Sequence, residues 1–146
     1  MKTGQKYMSH IIIRRVAPRD RRAIIPDHSP IPVKTRDNRL VYLPRAVAQQ
    51  PQFQAAVARA AQQLAPNVVD IIPTLGDDWS GEPAVFFLVI LTDAASRRDQ
   101  LLRVTNQVSH FIDREVEPLE QWDVLPFFNF RSQSEQAEID QRALAS

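Results

Sequence analysis

The chain contains no cysteine. That excludes a disulfide framework, a thiolate metal site and a cysteine nucleophile, and it suits a reducing cytosol. Glycine is almost as scarce, with three in 146 residues, and two of them, Gly76 and Gly81, fall in one short stretch. The longest apolar run, Ala84 to Leu91, is far short of the ~20 residues that cross a bilayer. No apolar segment follows the opening Met-Lys-Thr-Gly-Gln-Lys, so no secretory leader is expected. Hydrophobic residues make up 44% and charged residues 24%, a globular balance. The expectation is one soluble, cytoplasmic domain with no membrane partner.

The net charge of +1 conceals a division. Residues 1–50 carry eleven Lys/Arg against three Asp, a net +8, whereas residues 51–146 carry seven basic against fourteen acidic residues, a net −7. A basic arm of this kind either meets a polyanion, through Arg14, Arg15, Arg19, Arg21 and Arg22, or lies on its own acidic domain. Both readings stay open at this point.

Five of the eleven prolines fall between Pro18 and Pro44, which rules out a long helix or a central strand there. Residues 1–50 read as an arm with short strands at His10–Arg14 and Arg39–Leu43, residues 51–131 as the core, and 132–146 as a polar tail that forms a short helix or frays. Phe53, Val57, Ala60 and Leu64 recur at helical spacing behind Pro51. Val68 to Thr74 reads as a strand, and Pro73 sets it at an edge or bulge. Leu75 to Gly81 reads as a turn-rich connection, and Pro83 to Leu91 as a central strand apolar on both faces. Ser96-Arg97-Arg98-Asp99 fits a capping box before a helix carrying Leu101, Val104, Val108, Phe111 and Ile112. A last strand spans about Trp122 to Arg131. The order helix, strand, strand, helix, strand predicts an α/β, two-layer (α+β) fold with a small mixed sheet, extended by one N-terminal strand, with helices on one face. The other face of the apolar strand then needs a cover, either the arm or another protein.

The loop residues Gly76, Asp77, Asp78, Trp79 and Gly81 form the most distinctive constellation. Aspartates between glycines either bind phosphate or a hard cation or simply build a strand-connecting turn; the turn reading carries more weight. No Walker or EF-hand spacing is present, and no cofactor is expected. The histidines, His10, His28 and His110, have no second histidine at zinc spacing. Serines are many, but none stands in Gly-x-Ser-x-Gly. An acidic run, Asp113, Glu115, Glu117, Glu120 and Asp123, surrounds the second helix's C-terminal end, where the helix dipole opposes it. It either pairs with arginines of the arm or of a partner or forms a solvated face, and the solvated face is the more common arrangement. Phe127, Phe128, Phe130 and Arg131 are a candidate partner-binding surface or, by stacking, an RNA-binding one. The RNP pattern is missing, and an edge-to-core strand accounts for them better.

Taken together, residues 52–131 resemble a degenerate minimal nucleotidyltransferase domain, of the kind that serves as antitoxin to HEPN-domain ribonuclease toxins. Gly76 and Gly81 stand five apart, as that family's two glycines do. The apolar strand Val85–Leu91 and a helix over 97–117 follow in the family's order, and Asp123 falls at the third-carboxylate position. The departures are Asp77 in place of the serine after the first glycine, and Ala84-Val85-Phe86-Phe87-Leu88 where the family needs Asp-x-Asp. Nucleotidyl transfer depends on such metal-bridging carboxylates. The resemblance therefore implies a non-catalytic antitoxin-like module that occludes a partner protein, a HEPN-like toxin or a second copy. The alternatives are RNA binding through the arm and a Mg²⁺-dependent nucleotidyltransferase-like enzyme using Asp77 and Asp78 with Asp93 or Asp123.

Overall fold

The computed structural model describes Ile12–Arg14, Ile31–Lys34 and residues 40–146, with side chains from Leu43 onward. The elements are β1 (Ile12–Arg14), β2 (Ile31–Lys34), β3 (Leu40–Leu43), α1 (Arg45–Ala48), α2 (Gln50–Gln63), β4 (Val68–Asp77), β5 (Pro83–Leu91), α3 (Leu101–Val116), α4 (Pro118–Trp122), β6 (Leu125–Ser132) and α5 (Gln133–Ala145). This is the expected α/β two-layer fold with a small mixed sheet. The sheet order is β1-β6-β5-β4, and β2 and β3 form a separate antiparallel hairpin. A tight turn joins β4 to β5, so they pair antiparallel. The passage through α3 and α4 brings β6 back parallel to β5, as a crossover connection must. The additional N-terminal strand is β1, antiparallel to β6 with Ile13 opposite Phe128.

Strand alternation divides the apolar residues between two faces. On one, Val85, Phe87, Val89 and Leu91 of β5 and Phe128 and Phe130 of β6 are all fully buried. Phe53, Val57 and Ala60 of α2 and Val104, Val108, Ile112 and Val116 of α3 complete this core. Those helix positions recur every three or four residues and so share one face of each helix. The Phe87 ring sits 6.4 Å from Phe53 and 5.3 Å from Phe128, centroid to centroid. The core extends back to Ala46, also fully buried.

Several boundaries differ from those expected. Helix α3 begins at Leu101 with no side-chain cap. Ser96 is not its N-cap: the Ser96 hydroxyl donates to the Thr92 carbonyl at 2.8 Å, and Thr92 Oγ1 accepts from the Ala95 amide. Thr92 thus organises a run of turns that takes up the residues assigned to the helix's first turn. The last strand starts at Leu125 rather than near Trp122, because Pro118–Trp122 coil into α4. Glu117 and Asp123, both at positive φ (50° and 60°), bracket that short helix, and the Trp122 indole donates to the Val116 carbonyl at 3.0 Å. The tail is a 13-residue helix, α5, whose N-cap Ser132 accepts from the Glu135 amide at 3.1 Å. The pattern Ser132-x-x-Glu135 is the side-chain half of a capping box.

Candidate functional site

The five residues singled out in the loop do not all belong to it. Leu75, Gly76 and Asp77 are the last residues of β4, paired with Val85, Ala84 and Pro83. The turn itself is only Asp78 to Glu82. Asp78 is 8% exposed, and its Oδ1 accepts from the Ser80 amide (2.8 Å), the Ser80 hydroxyl (2.6 Å) and the Glu82 amide (3.0 Å). This is an Asx-type turn, and Gly81 closes it at φ +88°. Gly76 needs no special conformation: a Cβ there would meet Phe86 at an ordinary 3.8 Å. Trp79 stands at the tip with 82% of its surface exposed.

The carboxylates proposed for a Mg²⁺ site do not converge. Asp93 follows β5 at its far end, ~27 Å from the turn at ~3.4 Å per residue of strand. There it accepts from the Ser134 amide at 3.1 Å and from the Ser134 hydroxyl, and so anchors the start of α5. Asp123 Oδ2 accepts from the Arg45 amide at 3.2 Å and lies 3.8 Å from the Arg45 guanidinium. The third-carboxylate position thus holds down α1, and one arginine of the basic N-terminal fifty is paired with the acidic run. Arg114 and Glu115 form a second pair at 3.5 Å. Among the described residues, no group of three or more His, Asp or Glu is placed to hold a metal ion.

The residues expected to form a partner surface are divided by the same alternation. Phe128 and Phe130 are fully buried against the helices and present nothing outward. Phe127 is on the other face, stacked on Phe86 at 5.2 Å but only 7% exposed. Arg131, half buried, donates to the Gln136 amide oxygen at 2.7 Å. Exposed apolar side chains are spread over α1 (Val47), α3 (Leu102), α5 (Ile139, Leu144) and the β4–β5 hairpin. On the hairpin, Ile72 (40% exposed), opposite Leu88, and Phe86 (39%), opposite Thr74, share the outer sheet face. The apolar character of β5 on both faces was the available signal for Phe86; only the observed register brings Ile72 beside it. Arg14 is described as backbone in β1; Arg15, Arg19, Arg21 and Arg22 lie outside the described residues.

A cleft of about 440 Å³ opens beside the turn end of the hairpin. It is lined by Leu43, Pro44 and Val47, by Leu75, Gly76 and Asp77 of β4, and by residues that include Ala84 and Val124. Gly76, Ala84 and Leu125 are successive partners across three strands, so Gly76, the apolar strand and the approach to β6 meet at this end. The arrangement is apolar where two-metal chemistry needs oxygen ligands: Ala84 is fully buried. Among the described residues no helix is long and apolar enough to cross a membrane. No family model, curated protein or solved structure matches the chain.

Proposed function

We propose that the chain is a non-catalytic protein-interaction module of antitoxin type, which acts by occluding a surface on a partner protein. The observation that carries this reading is the half-exposed apolar strip of Ile72 and Phe86 on the outer sheet face of the hairpin that carries the exposed Trp79 at its tip. Aromatic anchors projecting from a rigid scaffold are the groups that dominate protein–protein binding energy. The placement of the carboxylates supports the same reading. Asp78 builds its turn, Asp93 and Asp123 tie down helices, and Ala84 and Phe86 stand in the apolar run where catalytic acids would be required.

Copurification from the native cytosol, with a wild-type chain and an Ile72→Ser/Phe86→Ser/Trp79→Ser variant, tests the reading. The expected result is a stoichiometric protein partner with the wild type and none with the variant, at unchanged far-ultraviolet circular dichroism. A wild-type chain that comes through as a monodisperse monomer without a partner refutes it.

The charge division favours a second reading, RNA binding by the arm. Contacts of Arg14, Arg15, Arg19, Arg21 and Arg22 with phosphates would weaken steeply with salt. A gel-shift titration on RNA with no salt-sensitive shift at micromolar protein removes that reading.

A further inference from the structure

The outer edge of β4 is divided into a closed half and an open half. β4 is the last strand of its sheet, with no neighbour beyond it among the described residues. The Asp78 amide donates to the Glu82 carbonyl at 2.9 Å, which makes 78 and 82 a hydrogen-bonded pair. Antiparallel ladders alternate, so the main-chain groups of Ile71, Pro73, Leu75 and Asp77 turn outward. Two independent observations agree with that phase. Pro73, which has no amide donor, occupies an outward position, as proline in an edge strand does. The outward Ile71 amide is taken up by its neighbour, donating to Asp70 Oδ1 at 2.8 Å. The first half of the edge thus offers no free donor, a device that blocks strand addition. Leu75 and Asp77 alone present both an amide donor and a carbonyl acceptor.

Those two residues line the 440 Å³ cleft together with Leu43, Pro44, Val47 and Gln50, and it continues past β4 to Pro83, Ala84 and Val124. An open strand edge beside an apolar groove is the arrangement that receives an extended peptide: main-chain bonds give affinity, and the groove selects alternate side chains. The volume lies within the ~300–1,000 Å³ range of ligand sites. Asp77 and Gln50 are the polar side chains on its walls, and Asp77 is exposed. Residues 51–146 carry a net −7, so the charge complement is basic.

From this juxtaposition we infer that β4 accepts an extended segment of a partner protein as an added strand at Leu75–Asp77. The segment's alternate apolar side chains enter the cleft against Val47, and a Lys or Arg faces Asp77. A second copy of the chain is a poorer occupant, because it offers only the same short open stretch and its Asp77 repeats the negative charge instead of complementing it. The inference rests on the reading of the chain as an interaction module and names the form in which the partner is held.

The test uses the full chain and a displayed library of random unstructured twelve-residue peptides. Selected peptides are made synthetically and titrated, with amide hydrogen exchange followed residue by residue. The expected peptides alternate apolar residues and carry Lys or Arg, bind at micromolar concentration, and protect the Leu75 and Asp77 amides while leaving Ile71 unchanged. Val47→Asp, on the exposed wall of the cleft, should weaken binding at least tenfold. Asp77→Lys should weaken it about fivefold and turn selection toward acidic peptides, the size expected of one exposed charge pair. Either variant should keep the wild-type exchange pattern in the core. Four results overturn the inference: no binder from the library; binders that protect only the Ile72/Phe86 face; protection of Leu75 and Asp77 already complete in dilute free protein, which assigns the edge to the chain's own arm; or protection that grows with protein concentration without peptide, which assigns it to a second copy. In the first two cases the interaction-module reading stands or falls separately, on copurification with the Ile72/Phe86/Trp79 variant.

Discussion

Removing the Asp78 carboxylate decides whether that residue builds the hairpin or serves a ligand. In Asp78→Ala the Ser80 amide, the Ser80 hydroxyl and the Glu82 amide all lose the acceptor they share, at 2.8, 2.6 and 3.0 Å. Each intramolecular hydrogen bond contributes a net ~0.5–1.5 kcal/mol. Ser80 and Glu82 are exposed, so the released donors reach water and no buried orphan is left. That sets the loss in the lower half of the sum, about 2 kcal/mol. With a urea slope of ~1.5 kcal/mol/M for a domain of this size, the midpoint should fall by ~1.3 M at unchanged slope. Asp78→Asn keeps an oxygen where Oδ1 stands and should recover at least half of the loss. Urea unfolding followed by Trp fluorescence and by far-ultraviolet circular dichroism reads both variants. The reasoning fails if Asp78→Ala unfolds within ~0.5 kcal/mol of wild type, the scatter of ordinary surface changes. It also fails if Mg²⁺ stabilises the wild type and not the variant, since that would make Asp78 a ligand.

The two glycines that mark the resemblance should behave unequally: Gly81→Ala, at φ +88°, should cost ~1–2 kcal/mol, whereas Gly76→Ala should stay within ~0.5 kcal/mol of wild type in the same unfolding assay. Adjacent phenylalanines should separate folding from binding. Phe87→Ala, in the fully buried layer, should cost ~3–5 kcal/mol, while Phe86→Ala should cost much less by urea titration and abolish partner copurification. Ser132→Ala removes the N-cap of α5, worth ~1 kcal/mol. Because α5 buries no residue, the loss should appear as faster amide exchange across 133–145 with little change in the global midpoint.

The sheet and its two main helices were readable because their patterns are strongly periodic. Phe53, Val57 and Ala60 repeat at helical spacing, and the run from Pro83 to Leu91 has the composition of a strand buried on both faces. The edge position of β4 followed from Pro73 alone. Boundaries failed where short-range hydrogen bonding by Thr92 replaced the capping that Ser96 and Asp99 promised, and where two left-handed residues, Glu117 and Asp123, allowed a single helical turn between α3 and β6. The site was less readable. Period-two alternation sends Phe128 and Phe130 inward while Phe127 goes outward with Asn129 and Arg131, a phase that those two polar residues already mark in the sequence. Ile72 joins Phe86 only through cross-strand register, which depends on a turn centred on Asp78–Glu82 rather than on the whole glycine-flanked stretch. The convergence of Leu43, Val47 and Asp77 around one cleft depends on where α1 is held by Asp123, 78 residues away from Arg45.

Both proposed contact surfaces belong to one hairpin, and that has an energetic consequence. β4 and β5 pair without interruption from Asp70 to Asp77, and β5 is held on its other side by eight parallel pairings to β6. The inner faces of these strands are core. Ile72, Phe86, Leu75 and Asp77 are therefore presented on backbone that is already ordered. Association then loses little conformational freedom on this side, and a larger part of the contact energy appears as affinity. A binding site on the proline-punctuated arm would have no such advantage if its segment had to order on contact. The same rigidity limits what the site can become. Introducing carboxylates at Ala84 and Phe86 would put one acid at a fully buried position, where an isolated charge is strongly disfavoured. Metal-dependent chemistry at this end of the hairpin would require rebuilding the packing around Ala84 and Val124. The apolar end of the hairpin is thus better matched to a partner's apolar side chains than to a metal-bound phosphate.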